Sequence, residues 1–402
     1  MSGRAGGPEG DPVGTAAERT RRFAVRHVVT DEGVLRDCAV TVIDGRITDL
    51  RSGVSPVADG PMHPGWLLPG YVDTHVHGAV GSDFGSADAD GVTAIIDHHR
   101  AHGSTTLYAS LVTNTLDSLT AQLDLLAGFV ERGDLAGVHL EGPFLSEARC
   151  GAHPAPLLRD PDPAAVDRLL DAGRGTVKMV TLAPERPGTI EAIGRFLDAG
   201  VIVAFGHSDA DAALAQRSVE SGATVATHLF NAMAAIHHRR PGPVPGLLSD
   251  PRVAVELICD GFHLHPDVVS MAISAAGPER VMLVTDAMAA TGRPDGEFPL
   301  GELMTRVVDG KARLLESDGS LGNIAGSTLT MDRAVEFVVQ ECGVPMADAA
   351  LMASTTPARW HRLAAGRVRH GAPADLVLVD DSGSLQAVMA AGTWLSEPPR
   401  EG

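Results

Sequence analysis

The chain has 402 residues and carries 32 Lys and Arg against 51 Asp and Glu, a formal net charge of −19 that opposes non-specific binding to nucleic acid. Hydrophobic residues make up 44% and aromatics only 4%, with 45 Gly and 26 Pro, which describes a turn-rich globular chain; no stretch is long and apolar enough to span a membrane. Cys38, Cys150, Cys259 and Cys342 stand far apart without a CxxC pair, so neither a disulfide framework nor a thiolate zinc site is indicated, and a reducing, cytoplasmic location fits.

In chain order, residues 1–22 are rich in Gly, Ala, Pro and Arg without an apolar segment and read as a disordered tail rather than a secretory leader. Residues 23–66 read as the first part of a small β domain. Ala39-Val40-Thr41-Val42-Ile43 alternates, and Asp44-Gly45 before Arg46-Ile47 signals a hairpin. The second part is 365–402, where Ala374–Asp380, Leu385–Met389 and Gly392–Trp394 have strand character. Neither part can bury a core alone, so both chain ends are expected to meet in one β-sandwich.

Between them, over 67–364, apolar runs recur at Leu67–Val72, Thr105–Leu111, Leu135–Leu140, Val177–Leu182, Val201–Ala204, Thr224–Ala226, Val253–Ile258 and Val281–Val284. Amphipathic stretches separate most of them: Val92–His102, Leu116–Glu131, Ala164–Ala172, Ile190–Ala199, Ala210–Ser221 and Pro266–Ala275. Eight strands alternating with helices predict an α/β fold, a closed (β/α)8 TIM barrel. The open doubly wound sheet is the competitor, but the first strand is followed by no GxGxxG or Walker turn.

The residues after these runs are polar in a consistent way. The first is followed by Asp73, His75 and His77, and the third by Glu141, which a Gly142-Pro143 break leaves at the strand end. His207 follows the fifth, His228 and Asn231 the sixth, Asp260 and His263 the seventh, and Asp286 the eighth. A barrel gathers its strand ends on one rim whatever their sequence separation. A single histidine at such a point is more often a hydrogen-bonded core residue than a ligand. Imidazoles and carboxylates converging on one mouth are instead the ligand set of zinc and related divalent ions.

Taken together, Pro69-Gly70-Tyr71-Val72-Asp73-Thr74-His75-Val76-His77-Gly78, His139-Leu140-Glu141-Gly142-Pro143, Gly206-His207-Ser208, Thr227-His228-Leu229-Phe230-Asn231-Ala232-Met233, Asp260-Gly261-Phe262-His263 and Val284-Thr285-Asp286-Ala287 resemble the amidohydrolase superfamily over nearly the whole chain. HLEGPF and THLFNAM are more specific than HxH, and set the chain apart from the deaminase and dihydroorotase branches. The resemblance implies one or two divalent ions per chain: Glu141, His207 and His228 would hold one, and His75 and His77 would form a second site with Glu141 and Asp286. Zinc is favoured, with iron, manganese and cobalt compatible. Lys178, the only lysine of the fourth strand, starts that strand and is set aside as a bridging ligand.

The same resemblance implies hydrolysis of the acetamide of a phosphorylated amino sugar, N-acetylglucosamine 6-phosphate first. Another N-acetylated sugar phosphate, such as N-acetylgalactosamine 6-phosphate, or a cyclic amide is the alternative, and a non-catalytic barrel scaffold is the alternative of a different class. The ion would bring a bound water toward a pKa of about 7 and polarise the carbonyl. Asp286 would be general base and then acid, and His153 the candidate oxyanion donor. Substrate contacts implied by the resemblance are Ala152, His153, Asn231, Ala232, Arg239, His263, Ile324, Ala325 and Gly326; Arg239 would take the phosphate, with Arg240 the alternative. Family members being commonly oligomeric, a homodimer or homotetramer is expected.

Overall fold

The computed structural model describes residues 20–54, 62–396 and 398. Of the tail expected over residues 1–22, residues 1–19 lie outside this set, whereas Thr20, Arg21 and Arg22 already belong to the strand Thr20–Thr30, paired with Ile43, Val42 and Thr41. The hairpin partner is long enough to extend the strand by these three residues.

Eight parallel strands form a nearly closed barrel: Tyr71–Asp73, Ser104–Val112, Gly137–Glu141, Val177–Leu182, Ile202–Phe205, Val225–Ala226, Ala254–Ile258 and Val281–Val284. The first and eighth strands are joined beyond their ends, by a parallel bridge Val76–Ala287 and by Asp286 N donating to His75 O at 2.9 Å. Asp73 completes the seam. Its carboxylate accepts from Thr285 Oγ1 at 2.6 Å and from the main-chain N–H groups of His75 and Thr285, each at 3.3 Å. Burial raises the pKa of Asp73 to about 7 against these donors, so it acts as a stitch between strands. Helices Ala89–Ala101, Leu116–Glu131, Pro163–Gly173, Thr189–Asp198, Ala212–Glu220, Val244–Ser249 and Pro266–Ala276 follow the first seven barrel strands in turn, and Met331–Gln340 follows the eighth at a distance. The first, second, third and fifth of these start on side-chain caps: Asp88, Thr115, Asp162 and Asp211 each accept from a main-chain N–H of the first turn.

The apolar run Leu67–Val72 proves to be two elements. Met62–Pro69 is a strand of the terminal sheet, with Leu67 and Leu68 opposite Leu378 and Val377, and the barrel begins only at Tyr71. Gly70 marks the passage, because a Cβ there would run into the Thr105 hydroxyl.

Both chain ends build one separate seven-stranded sheet, in which the strands Met62–Pro69 and Leu376–Val379 are the central junction. Its alternation divides two cores. Leu68, Val377 and Val379 pack with the barrel cluster, while Val25, Val40, Leu67, Leu376, Leu378 and Met389 pack among themselves. The sheet curls until its edge strand Arg46–Arg51 meets the segment before Leu376: Ile47 N donates to Ala372 O at 3.0 Å and Gly371 N to Ile47 O at 2.7 Å.

An element not anticipated from sequence follows the eighth barrel strand. Gly296–Leu300, Leu303–Val308, Lys311–Leu315 and Leu321–Ile324 form a four-stranded antiparallel sheet over the barrel mouth. Its middle hairpin turns at Asp309-Gly310, both with positive φ, as the two-residue turn between Val308 and Lys311 requires. Among the described residues, no helix is long and apolar enough to cross a membrane.

Candidate metal centre

Strand alternation fills the barrel in layers. In the second strand Tyr108, Ser110 and Val112 occupy successive inward positions, and in the third Gly137, His139 and Glu141 do so; the last of each set lies at the mouth. A middle layer is polar and tied together. His139 bonds Ser110 Oγ at 3.0 Å and Thr181 Oγ1 at 2.8 Å, and Thr181 Oγ1 lies 2.8 Å from Thr227 Oγ1.

Above it, Glu141 stands between two groups of side chains. Its Oε2 lies 3.1 Å from His77 Nε2 and 3.6 Å from His75 Nε2, and Asp286 Oδ1 lies 3.1 and 3.5 Å from the same two nitrogens. Its Oε1 lies 3.1 Å from His207 Nε2 and 2.9 Å from His228 Nε2, themselves 3.0 Å apart. The donor atoms of His75, His77 and Asp286 all lie within 4.8 Å of one another, and those of Glu141, His207 and His228 within 3.1 Å, close enough for each group to hold an ion. The chain tolerates unusual backbone to bring them there. His207, His228, Phe230, Ala232 and Asp286 all have positive φ, a conformation that non-glycine residues adopt only when surroundings impose it. At the fifth strand end, a Cβ on Gly206 would meet Thr181 and Thr227 at 2.7 and 2.9 Å, so glycine lets His207 approach.

Hydrogen bonds on the far side of three of the four rings assign the tautomers. His77 Nδ1 lies 3.2 Å from Ser110 O, His207 Nδ1 2.9 Å from Arg149 O, and His75 Nδ1 3.1 Å from Glu256 Oε2. A carbonyl or carboxylate at Nδ1 requires a proton there, which leaves the Nε2 lone pair free to ligate. His153 is the reverse case. Thr113 N–H donates to its Nδ1 at 3.2 Å, so Nε2 carries the hydrogen and points toward Glu141 Oε2 at 3.5 Å. His153 also clusters with Glu141 and His207 as a possible ligand group. We assign it as a donor, because its tautomer opposes ligation while His228 Nε2 lies closer to Glu141, at 2.9 Å.

The electrostatics are those of a cation site. Burial disfavours charge on His75 and His77, yet Glu141 and Asp286 outweigh it, holding His75 well above the usual imidazole range and His77 at about 9. Burial opposes the charges of Glu141 and Asp286 too, but the facing imidazoles, His75 foremost, keep both below the ordinary carboxylate range. His153 is pushed down to about 4 by burial and then by His207, so it is neutral.

A cavity of about 500 Å³ opens above the cluster. It is lined by His77, Glu141, His207, His228 and Asp286, and also by Ala152, His153, Asn231, Ala232, His263, Ile324, Ala325 and Gly326, all expected from the sequence. His75 is fully buried behind them. His263 is braced by Asp260, whose carboxylate lies 2.7 Å from His263 Nδ1. Arg239 falls elsewhere: it edges a neighbouring cavity of about 640 Å³, with its guanidinium 2.7 Å from His238 Nε2. The reason is chain direction, since the loop after Met233 runs outward. Arg240 lies beside it, and Arg149, not expected from the sequence, lines both cavities. Lys178 donates to Gly175 O at 2.8 Å, at the opposite end of its strand from the cluster. Glu256, also unexpected, was legible as the single charge inside the run Val253–Ile258.

Comparison with known proteins agrees with this geometry. A profile of the amidohydrolase family matches residues 66–395. The chain is 34% identical over 383 residues to N-acetylgalactosamine-6-phosphate deacetylase of Escherichia coli O157:H7, covering 94% of this chain and 100% of that one. It is 35% identical over 412 residues to the human N-acetylglucosamine-6-phosphate deacetylase, covering 96% and 99%. The crystal structure of N-acetyl-D-glucosamine-6-phosphate deacetylase from Mycobacterium smegmatis superposes with a TM-score of 0.88 at 43% identity, covering 93% of this chain and 100% of that one.

Proposed function

The chain belongs to the amidohydrolase family, and from that premise we propose that it hydrolyses the acetamide of N-acetylglucosamine 6-phosphate, giving glucosamine 6-phosphate and acetate. The observation that carries the reading is Glu141, one carboxylate facing two imidazole groups at the floor of a cavity of about 500 Å³ that also holds Asp286. The donor set of nitrogens and carboxylate oxygens fits a divalent ion, for which we propose zinc. Glu141, His207 and His228 would hold one ion, and His75, His77 and Asp286, with Glu141 between, a second. When bound, such an ion acidifies a water and polarises a carbonyl.

The chain's own groups supply the rest. Asp286, ionised at neutral pH, accepts the proton of the attacking water and returns it to the amine nitrogen as the carbon–nitrogen bond breaks. The neutral His153, with hydrogen on Nε2, donates to the carbonyl oxygen as negative charge develops there. His263, locked by Asp260, and the main chain at Asn231, Ala232 and Ala325 orient the sugar. Its phosphate lies toward Arg149, with Arg239 and Arg240 beyond in the adjoining cavity. The four free cysteines fit work in a reducing cytoplasm.

N-acetylgalactosamine 6-phosphate is the second reading, because a relative bearing that name is 34% identical, beside 35% for the human N-acetylglucosamine-6-phosphate deacetylase. The deciding experiment follows acetate release from both 6-phosphates and their unphosphorylated sugars, with metal stripped and then restored. The reading expects activity on a 6-phosphate, lost on stripping and regained on restoration. Turnover that survives complete chelation, or fails on both phosphates, overturns it.

A further inference from the structure

Glu256 sits in the middle of the seventh barrel strand Ala254–Ile258, between Val255 and Leu257, and is fully buried. A carboxylate at that depth is costly, and an apolar side chain would pack in its place without that cost. Among the described residues its side chain has two hydrogen-bond partners. Oε2 lies 3.1 Å from His75 Nδ1 and accepts from the main-chain N–H of His228 at 3.3 Å, while Oε1 has no protein partner. The strand adds a third tie, as Glu256 O accepts from Leu229 N at 2.8 Å.

The two groups it touches belong to different halves of the centre. His75 stands with His77 and Asp286, and His228 with Glu141 and His207. Glu141 joins the halves from the cavity side, and Glu256 joins them from behind. An acceptor at His75 Nδ1 fixes the proton there and turns Nε2 forward, 3.1 Å from His77 Nε2. Holding the His228 amide steadies a residue whose φ of 27° is unfavourable by itself.

We propose that Glu256 is a positioning residue for the metal centre, which sets the tautomer and orientation of His75 and couples the two ligand groups. This rests on the reading of the cluster as a metal site, not on the identity of the sugar. Loss of a partner of this kind costs roughly 10–100-fold in metal affinity. The effect should fall mainly on the equivalent held by His75, His77 and Asp286, because Glu256 reaches the other group only through the main chain.

The test is a zinc titration against a chromophoric chelator, on purified full-length wild type, Glu256→Gln, Glu256→Leu and the double variant His75→Ala/His77→Ala. The double variant identifies which equivalent belongs to His75. Glu256→Gln keeps an acceptor and the volume, and should weaken that equivalent about tenfold; Glu256→Leu should weaken it by about 100-fold. Cobalt substitution should shift the visible band of the same equivalent in both variants. Thermal melts of the metal-free proteins report folding, and if Glu256→Leu does not fold, the Gln variant alone decides. A wild type that binds a single equivalent, unchanged affinities in the folded variants, or equal weakening of both equivalents would each overturn the proposal. Wild-type turnover is measured alongside: altered zinc binding without turnover of either sugar phosphate sinks the deacetylase reading and keeps this one, and the converse result does the opposite.

Discussion

The two ends of the barrel are built from the same eight strands and do opposite work. At the mouth stand Glu141, His207, His228 and Asp286, the last three on strained backbone, with the carboxylates of Glu141 and Asp286 crowded against the same imidazole, His77. Two residues earlier along the second and third strands the layer is polar but satisfied, through Ser110, His139 and Thr181. At the opposite end, Tyr108, Met179, Ala204, Val225, Ala254 and Met282 form an apolar floor, closed by Trp360, His361 and Leu363 from the helix Thr356–Trp360 and the turn after it. Thr356 Oγ1 donates to Pro278 O at 2.9 Å and Trp360 Nε1 to Glu279 O at 3.0 Å, so this plug is bonded to a loop at that end. The floor supplies packing free energy, and the mouth spends stability on a concentration of charge that only a cation and a substrate neutralise.

Breaking the mouth should therefore leave the fold and remove the chemistry. Asp286→Asn keeps the shape of the side chain and should keep metal through the remaining ligands, while losing roughly 10²–10⁴-fold in kcat because the proton acceptor is gone. Steady-state kinetics beside metal analysis check this, and an unchanged kcat with full metal would remove the general-base role. Breaking the floor should do the reverse. Met282→Ala, fully buried, should cost about 2–5 kcal/mol in urea unfolding while kcat/KM of the folded protein stays within about twofold. A large kinetic defect without a stability defect would show that the ends are not separable.

The floor also contains a group that ties stability to pH. His361 is buried against the Tyr108 ring, 5.2 Å between centroids, and neither ring nitrogen has a hydrogen-bond partner among the described residues. Burial lowers its pKa to about 4 against the opposing field of Glu256. The unfolded chain, with an imidazole near 6.5, binds this proton more readily than the folded one. Stability should accordingly be intact above about pH 6.5 and fall as pH drops toward 4, by at most about 3 kcal/mol from this group. His99, buried and lowered to about 4 by burial and by neighbouring His98 and His102, adds to the same acid slope. A His361→Leu variant should flatten the fall in urea midpoints between pH 6.5 and 4. An identical slope would place the acid sensitivity elsewhere.

The same contrast explains what could be read from residues alone. Mouth residues stand out because a His, Asp or Glu at the end of an apolar run has no packing reason to be there. Glu141, His207, His228 and Asp286 were visible for that reason. Floor residues such as Met179 and Met282 are ordinary members of apolar runs, and their convergence on Trp360 needs the closed barrel. Glu256 sits between the cases: its charge was visible inside Val253–Ile258, but its partner His75 is 181 positions away and meets it only on barrel closure. The strands Val177–Leu182 and Val281–Val284 were legible to the residue because both faces are buried and turns bound them. Leu67–Val72 misled because two strands of different sheets adjoin there with only Gly70 between. The four-stranded cover was missed because its strands are short and half-exposed, with no continuous apolar run to mark them.

The smallest expected effect lies at the rim, where the comparison is least sharp. Arg239 was expected to hold phosphate, yet within one chain it borders the neighbouring cavity, and Arg149 stands between it and the metal cluster. Arg149 is itself paired with Asp209 at 2.7 Å, with both side chains partly exposed, so this pair contributes little to stability. If phosphate recognition extends across that wall, Arg239→Ala should raise KM for the phosphorylated sugar by up to about tenfold, leaving kcat and the unphosphorylated substrate unchanged. Arg149→Ala should raise it further, because that guanidinium borders the cavity that holds Asp286. Equal effects of Arg239→Ala on both substrates would remove it from phosphate binding and leave recognition to Arg149 and the main chain at Asn231 and Ala232.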